Sequence, residues 1–364
     1  MKRLAVLISF SGDGGVERMI TNLCAEFAAH VQVDLLALRA EGRHVSRIPP
    51  QVNLIQLKAK HSWTSVGEIA EYLRRVQPDA LLVAKDRAGR AAIRARAKAG
   101  AAMPLWIRLG TNLSAALERK SAFNRWLRVT PMRRLYPLAS GVIAVSEGVR
   151  QDTLAITGLA AGRVVVIRNP VITPALALQA AEPTPHPWLA DKLVPVIIGM
   201  GRLTRQKDFP TLLRAFAAIQ EQRPSRLILL GEGGDRAALA ALAAELGITE
   251  HLSIAGFQKN PYAWLARADL FVLSSAWEGS PNALTEALAL GVPCVSTRCP
   301  SGPEELLADG RYGPLVAVGD HAALAQAMLA TLASPLPAEQ LRAAVAEYRV
   351  ELSAQRYLQQ LGLA

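Results

Sequence analysis

Residues 274–293 read Ser-Ser-Ala-Trp-Glu-Gly-Ser-Pro-Asn-Ala-Leu-Thr-Glu-Ala-Leu-Ala-Leu-Gly-Val-Pro. The apolar run Leu270–Leu273 precedes this stretch, and a turn rich in Gly, Ser, Pro and Asn follows Ser274. An Ala- and Leu-rich segment then begins near Asn282 and stops at Gly291-Val292-Pro293, residues that typically end a helix. The stretch therefore predicts a buried strand, a tight turn and a helix that begins beside the carboxyl end of that strand.

The same alternation of apolar runs and helical segments occurs along most of the chain. The predicted strands are Arg3–Ser9, Val31–Leu38, Asn53–Leu57, Ala80–Ala84, Leu105–Leu109, Gly141–Val145, Val164–Ile167, Val196–Met200, Arg226–Leu230, Leu252–Ala255, Leu270–Leu273 and Cys294–Ser296. Continuous apolar strands separated by helices predict parallel sheets that are covered on both faces. The predicted fold class is α/β, with two doubly wound Rossmann-like domains that face each other across a cleft.

The pattern is interrupted once, between 169 and 195, where six prolines occur with little periodicity. We therefore predict an N-terminal domain at 1–170, a proline-rich linker at 171–195 and a second domain at 196–340. Residues 341–364 lack a strand of their own, so we expect helices that pack on an existing domain, with the N-terminal domain as the candidate.

The amino-acid composition is typical of a folded globular protein. Of 364 residues, 51% are hydrophobic and 20% are charged, which is enough apolar material for a core and excludes a disordered chain. The three cysteines, Cys24, Cys294 and Cys299, cannot form a disulfide framework and contain no C-x-x-C pair, so no structural zinc site is expected. This cysteine usage leads us to expect a protein of the reducing cytoplasm. No apolar run is long enough to span a bilayer.

The net charge of +11 is distributed unevenly. Residues 1–182 hold 26 Lys and Arg against 13 Asp and Glu, whereas the rest hold 15 against 17. Basic residues cluster at 87–98 and at 119–134, and Phe123, Trp126, Leu127 and Met132 interleave with the second cluster. This pattern suits peripheral binding to the anionic inner face of a membrane, with an Arg-rich solvated face as the alternative. Nucleic acid is not expected, because no recognised binding fold or aromatic array accompanies the charge.

A glycine turn follows the first predicted strand and opens the first helix, as Gly12-Asp13-Gly14-Gly15-Val16-Glu17-Arg18. Glycine at such a position lets the backbone approach an anion at a helix N-terminus. The turn matches neither the dinucleotide fingerprint nor a P-loop. Ligand contact and a plain tight turn both remain open.

A second motif, residues 199–208, follows the first strand of the second domain and contains Arg202 and Lys207. The planar guanidinium of Arg and the ammonium of Lys both bind phosphate oxygens, so this strand end is a candidate anion site. Taken alone, the pair could also be two solvated charges.

The motif at 274–293 adds Glu278 before the turn and Glu286 inside the helix. The helix start directs backbone amides and a positive partial charge toward the same place. Carboxylates on both sides of an anion-binding helix end suit a ligand with hydroxyl groups on both sides of a phosphate, as in a nucleotide sugar. The alternative for Glu286 is an exposed acid on a helix surface.

Together, these motifs resemble those of glycosyltransferase family 4, a group of retaining enzymes with the GT-B fold. The resemblance covers nearly the whole chain and is strongest from 196 to 320. Further matching segments are Val145–Val149, Asn169-Pro170, Leu230–Gly233, Gly256-Phe257 and Cys299–Leu306, the last of which resembles members that build bacterial surface glycans.

The resemblance implies a role for each donor-site residue. Arg202 and Lys207 would hold the diphosphate of the donor and stabilise the leaving nucleotide without a metal or other cofactor. Glu278 would bind hydroxyls of the transferred sugar, and Glu286 those of the ribose. The amides around Asn282, Ala283 and Leu284 would complete the phosphate site.

It also implies where the remaining candidates would lie. Gly201 belongs to the motif of the two cations, and Gly231 and Phe257 would lie near the base. Gly14 and Gly15 would face the diphosphate from the other domain. The partners would be a nucleotide-sugar donor, with UDP favoured, and a lipid-linked or glycan acceptor.

One feature departs from the family pattern. Many members have a histidine after the strand that corresponds to Leu105–Leu109, but here the segment continues without one. Arg108, Thr111 and Asn112 are the candidates for that position. The departure favours one rival to a transferase, a non-catalytic nucleotide-sugar-binding partner. An epimerase on the same fold is a third alternative.

Overall fold

The computed structural model describes residues 1–11, 14–42, 44–183 and 186–364 and divides into two compact units. The first unit comprises Met1–Val171 and Glu347–Ala364, and the second comprises Ile172–Ala346. Each is built around a parallel sheet, as the continuous apolar strands predict.

In its described part, the first unit has a sheet of seven parallel strands in the order β3-β2-β1-β4-β5-β6-β7. Its strands are β1 (Arg3–Ser11), β2 (Gln32–Glu41), β3 (Asn53–Gln56), β4 (Ala80–Ala84), β5 (Leu105–Leu109), β6 (Gly141–Ala144) and β7 (Val164–Val166). Its helices are α1 (Gly15–Phe27), α2 (Val66–Val76), α3 (Asp86–Ala99), α4 (Leu113–Leu117), α5 (Ala122–Leu135) and α6 (Glu147–Thr157).

The second unit, over its described residues, has six parallel strands in the order β10-β9-β8-β11-β12-β13. The strands are β8 (Val196–Met200), β9 (Arg226–Leu230), β10 (Leu252–Gly256), β11 (Leu270–Leu273), β12 (Cys294–Thr297) and β13 (Leu315–Val316). The helices are α7 (Pro174–Ala180), α8 (Pro187–Ala190), α9 (Phe209–Gln220), α10 (Arg236–Glu245), α11 (Tyr262–Leu265), α12 (Asn282–Ala289), α13 (Pro303–Leu306), α14 (His321–Ala333) and α15 (Ala338–Ala343).

In the segment predicted as a linker, the described residues from Ile172 onward belong to the second unit and include α7 and α8. Pro174 and Pro187 each occupy the first turn of a helix. Backbone amides in the first turn have no partner within the helix, so the missing N–H of proline costs no hydrogen bond there. The end of α7 is tied to the unit, because Asn260 and Arg267 donate to the backbone carbonyls of α7. The prolines therefore begin helices here instead of marking an extended connection.

The C-terminal helix α16 (Val350–Gln360) packs against α1 of the first unit. Tyr357 is fully buried there, edge-on to Phe27, with ring centroids 6.2 Å apart. The chain therefore ends in the unit where it began. Within the described residues, no helix combines the length and the apolar character needed to cross a bilayer.

Candidate functional site

The candidate site of the second unit lies where the direction of the strand order reverses. From β8 the chain forms β9 and then β10 on one side of the sheet. It then returns to the other side of β8, where it forms β11. In open α/β sheets, ligands bind outside the carboxyl ends of the strands at such a switch point. Arg202 and Lys207 follow β8, and Glu278 follows β11, so the topology assigns these residues to neighbouring loops.

Lys207 and Glu278 form an ion pair at the switch point. The distance from Lys207 Nζ to Glu278 Oε1 is 2.5 Å, and Ser275 Oγ donates to the same oxygen at 2.7 Å. Their side chains are 16% and 8% exposed, so water screens the pair only weakly. The sequence predicted both residues, but it gave no indication that they would contact each other directly.

Hydrogen bonds to the backbone connect the loops that carry this pair. Ser274 Oγ donates to the carbonyl of Lys207 at 2.8 Å, and the amide of Ala276 donates to the carbonyl of Gln206 at 2.8 Å. The amide of Glu278 donates to the carbonyl of Pro300 at 3.1 Å. The loop that follows β12 therefore fixes the backbone of Glu278 from the other side.

Two glycines allow these loops to pack closely. A Cβ on Gly201 would lie 2.7 Å from Lys207 Cε, and a Cβ on Gly231 would lie 1.9 Å from the carbonyl oxygen of Gly201. Gly231 also has φ +142°, which side chains rarely adopt. Both glycines therefore position the cation loop, and their contact with a donor remains a prediction.

Arg202 and Phe257 are exposed on the same sheet edge. Arg202 follows β8 and is exposed, and within the described residues its guanidinium forms no hydrogen bond or ion pair. Phe257 is 36% exposed and follows Gly256, whose carbonyl accepts a hydrogen bond from the amide of Gly231 at 2.8 Å. A guanidinium and an aromatic ring are thus both accessible to a ligand.

The helix start at α12 is built as predicted from the sequence. The amide of Thr285 donates to the carbonyl of Pro281 at 3.1 Å, so those of Asn282, Ala283 and Leu284 precede the first intrahelical bond. Glu286 is fully buried. Its burial excludes the alternative of an acid on an exposed helix surface.

The first unit has a related arrangement at its own switch point, between β1 and β4. Lys85 Nζ lies 2.6 Å from Oε1 of the buried Glu17 and donates to the carbonyl of Ser9 at 3.1 Å. Lys85 has φ +74°, an unfavourable backbone conformation for a lysine. Sequence reasoning missed Lys85, although a cation directly after the buried strand Ala80–Ala84 was a usable signal.

The glycine turn beside this pair is only partly described, since Gly12 and Asp13 lie outside the described residues. A Cβ on Gly14 would lie 2.7 Å from Glu17 Oε2, and Gly15 begins α1. The packing of Glu17 therefore accounts for Gly14. Contact of Gly14 and Gly15 with a diphosphate stays a prediction.

The three candidates for the missing histidine have different environments. Arg108 is 1% exposed, and its Nη2 donates to Asn169 Oδ1 at 2.6 Å. Asn112 caps α4 by accepting a hydrogen bond from the amide of Ala115 at 2.9 Å. Thr111 contributes to the wall of a cavity of about 610 Å³ that also involves Arg108. Thr111 is exposed, and its side chain forms no hydrogen bond within the described residues.

Comparisons with known proteins agree with this architecture. Residues 13–173 match the family described as Glycosyltransferase Family 4, and residues 194–334 match the family described as Glycosyl transferases group 1. Residues predicted to form the two domains thus match two glycosyltransferase families.

Two curated relatives align over most of the chain. An N-acetylgalactosamine-N,N'-diacetylbacillosaminyl-diphospho-undecaprenol 4-alpha-N-acetylgalactosaminyltransferase of Campylobacter jejuni is 27% identical, and the alignment covers 90% of this chain and 89% of the relative. A lipopolysaccharide 1,6-galactosyltransferase of Escherichia coli is 26% identical, with 86% and 84% covered.

Among solved structures, HepE of Anabaena in complex with UDP and glucose has a TM-score of 0.80 at 19% identity, with 100% of both chains covered. This likeness shows the fold, and the sequence families show the class of enzyme. The chain belongs to family 4 of the glycosyltransferases and has the GT-B fold.

Proposed function

We propose that this glycosyltransferase moves a sugar, with retention of configuration, from a UDP-sugar to a lipid-linked or glycan acceptor in bacterial surface glycan synthesis. The observation that carries the donor assignment is the 2.5 Å Lys207–Glu278 pair beside the start of α12. Support for the acceptor class comes from the Campylobacter and Escherichia relatives, whose names state a diphospho-undecaprenol-linked acceptor and lipopolysaccharide.

In this proposal, the second unit binds the donor. Arg202 and Lys207 contact the diphosphate and stabilise the negative charge that develops on the leaving UDP. The amides of Asn282, Ala283 and Leu284 add hydrogen bonds and the positive end of the α12 dipole. Because these groups supply the charge stabilisation, we propose that no metal ion or other cofactor is required.

The two carboxylates would fix the sugars at either end of the diphosphate. Glu278, whose orientation is set by Lys207 and Ser275, would accept hydrogen bonds from hydroxyls of the transferred sugar. Glu286 would accept them from the ribose, with Gly231 and Phe257 near the base. Gly14 and Gly15 of the first unit would contact the diphosphate, and the first unit would bind the acceptor.

We place the reaction in the cytoplasm at the inner face of the membrane, with the enzyme bound peripherally. A polyprenyl-linked acceptor would be held in that membrane, and the basic first unit would be attracted to its anionic lipids. The first unit holds 28 Lys and Arg against 14 Asp and Glu. The second unit holds 13 against 16, so the attraction is assigned to the first.

The test is release of UDP from UDP-galactose or UDP-N-acetylgalactosamine with a prenyl-diphosphate-linked sugar as acceptor, with and without EDTA. Arg202→Ala should lower turnover by about 10²-fold or more, since removing one preorganised donor typically has that effect. Arg214→Ala, an exposed arginine on α9, is the matched control and should retain full activity. Normal turnover of Arg202→Ala would refute the diphosphate assignment, and loss of turnover in EDTA would refute the metal-free one.

Two further measurements distinguish the proposed transferase from a non-catalytic binding partner and from an epimerase. A non-catalytic binding partner would bind donor but form no product in a single turnover. An epimerase would convert the sugar of the donor in the absence of acceptor. NMR of the product would establish the anomeric configuration and so test retention.

A further inference from the structure

A cavity of about 730 Å³ lies beside Lys85 at the switch point of the first unit. Its wall comes from the ends of β1, β2 and β4, from the loop before α2, and from α3 and α5. The lining side chains include Arg39, Lys60, Lys85, Arg87, Arg90, Arg94 and Arg128, but among the described residues of the wall Asp86 is the one acid.

The single lining acid is already engaged. Asp86 is buried, and its carboxylate lies 3.0 Å from Arg90 Nη2 and 3.3 Å from Arg128 Nη2. Tyr136 also donates to it at 3.0 Å. Burial lowers the pKa of Arg128, and the neighbouring Arg87 and Arg90 lower it further although Asp86 opposes them. Arg87 and Arg90 therefore lie close enough to Arg128 to repel it electrostatically.

Within the described residues, three cations of the wall have side chains with no hydrogen-bond or ion-pair partner. Arg87, Arg94 and Lys60 form no hydrogen bond or ion pair through their side chains within the described parts of the chain. Lys85, which also lines the cavity and pairs with Glu17, has φ +74°. Strained backbone of this kind persists where the surrounding structure determines it, and it concentrates at ligand sites.

An exposed aromatic ring completes the cavity wall. Trp63 contributes to the lining and is 77% exposed. A large aromatic face in water packs well against the apolar C–H face of a sugar ring, and its indole N–H can donate a hydrogen bond. Cations and an aromatic platform in one cavity therefore match a phosphorylated sugar.

We propose that this cavity binds a phosphate or diphosphate group of the acceptor, through Arg87, Arg94 and Lys60, with Trp63 against the adjoining sugar. The inference rests on the proposed function, since it names the chemistry of the acceptor that the first unit binds. Arginine favours phosphate because its fork can donate two parallel hydrogen bonds. The phosphate can come from a prenyl-diphosphate link or from a phosphate on a glycan.

The test is titration calorimetry of the full chain with inorganic pyrophosphate, in saturating UDP so that the donor site is occupied. The double variant Arg87→Gln/Arg94→Gln should bind pyrophosphate about tenfold or more weakly, because two charge-assisted contacts are lost. The control Arg74→Gln/Lys98→Gln removes the same charge from exposed positions on α2 and α3 outside the cavity and should bind like wild type. Equal affinity in the cavity variant and wild type would overturn the proposal.

Further ligands identify the source of the phosphate. Tighter binding of farnesyl diphosphate than of galactose 1-phosphate supports a lipid-linked diphosphate, and the reverse order supports a phosphate carried by a glycan. Glucuronate bound more tightly than both would overturn the phosphate assignment. Trp63→Ala should weaken galactose 1-phosphate but not pyrophosphate, and equal losses would overturn the role of the ring.

UDP affinity is measured separately for each variant. If UDP does not bind, the proposed donor function fails, but the difference in pyrophosphate affinity between wild type and the cavity variant still reports on the cavity. If UDP binds and that difference is absent, only the inference about the cavity fails.

Discussion

At the scale of single residues, the most informative contact is the pairing of Lys207 with Glu278. An ammonium already paired with a carboxylate attracts a diphosphate less strongly than an unpaired one, because the two local charges cancel. The carboxylate, in turn, is held in one orientation by Lys207 and Ser275. In the proposed donor site, the pair would therefore bind a diphosphate less tightly, but it would hold the Glu278 carboxylate in a fixed orientation.

This arrangement predicts opposite effects on binding and turnover for Glu278→Gln. The amide keeps the size of the side chain but removes its charge, so UDP should bind at least as tightly as in wild type. Turnover should fall by about 10²-fold, the usual effect of removing one group that stabilises or orients the reacting sugar. Calorimetry with UDP and steady-state kinetics provide the two measurements. A variant that loses UDP affinity and turnover in parallel would show that Glu278 instead supports the structure of the loop.

Asp208, next to Lys207, offers a prediction about pH. Burial raises the pKa of its carboxyl group, although a hydrogen bond from Thr211 Oγ1 at 2.7 Å lowers it in part. A carboxyl group whose pKa is higher in the folded state than in the unfolded state stabilises the fold in its protonated form and destabilises it when ionised. Its favourable contribution to stability is fully present below the unfolded-state pKa and is lost as pH rises through the folded-state pKa.

Asp208→Asn should therefore raise the unfolding midpoint of the second unit at pH 7. The amide accepts the same hydrogen bond and tolerates the left-handed backbone at φ +45°. Its advantage should shrink as pH falls through the raised pKa of Asp208, because the wild-type carboxyl then becomes neutral as well. Thermal unfolding across this range provides the measurement, and an advantage independent of pH would contradict the assignment to ionisation.

At the scale of elements, the loops after the strands of the second sheet are packed too closely for side chains at some positions. Gly231 and Gly234 lie in the same loop but differ in surroundings. A Cβ on Gly231 would meet the Gly201 carbonyl oxygen at 1.9 Å, whereas a Cβ on Gly234 would meet nothing within 4 Å. Substitution of Gly234 is therefore the matched control for substitution of Gly231.

Gly231→Ala should destabilise the second unit by about 1–3 kcal/mol or more, from the clash and the positive φ together. It should also weaken UDP binding, because displacement of Gly201 moves the loop that carries Arg202 and Lys207. Gly234→Ala should stay within about 0.5 kcal/mol of wild type. Urea unfolding and UDP calorimetry test both variants. Equal stability for the two would contradict the close packing of these loops.

Much of the fold follows from patterns that the sequence contains. Runs of mainly apolar residues predicted 12 of the strands, since most strands of these parallel sheets are buried on both faces. Strand β13 was missed because its two residues, Leu315 and Val316, give no periodic signal. The prolines of 171–195 were interpreted as a linker, but proline is equally suited to the first turn of a helix.

The candidate site was predictable only in part. Residue type and spacing indicated Arg202, Lys207, Glu278 and Glu286, because each lies at the end of a strand or in the helix that follows. The Lys85–Glu17 pair was not predicted, since it joins residues 68 positions apart through the order of the strands. Such contacts depend on the topology, which a single sequence does not specify.

At the scale of the whole molecule, the two units repeat one design. Both sheets place their first strand beside their fourth, and each has a Lys–Glu pair at that switch point. In the first unit the acid follows the first strand and the cation follows the fourth, whereas the second unit has the reverse order. Net charge distinguishes the units further, at +14 for the first and −3 for the second.

This difference in charge leads to a prediction about membranes. The rings of Phe123 and Trp126 on α5 stack with centroids 6.1 Å apart and are 65% and 57% exposed, and Leu127 beside them is 48% exposed. Arginines share this helix, so an apolar patch lies among cations, as in interfacial helices. The full chain should therefore bind vesicles that contain anionic phosphatidylglycerol and should bind neutral phosphatidylcholine vesicles weakly.

Sedimentation with vesicles at low and high salt tests this prediction. Binding should fall as salt rises, since the Debye length shortens from about 10 Å at 0.1 M to about 3 Å at 1 M. Phe123→Ser/Trp126→Ser should reduce binding at both salt concentrations because it removes the apolar contribution. Leu178→Ser, which replaces a 74% exposed leucine of the second unit, is the control and should bind like wild type. Equal binding to neutral and anionic vesicles, or an effect of Leu178→Ser as large as that of the double variant, would contradict a membrane surface on the first unit.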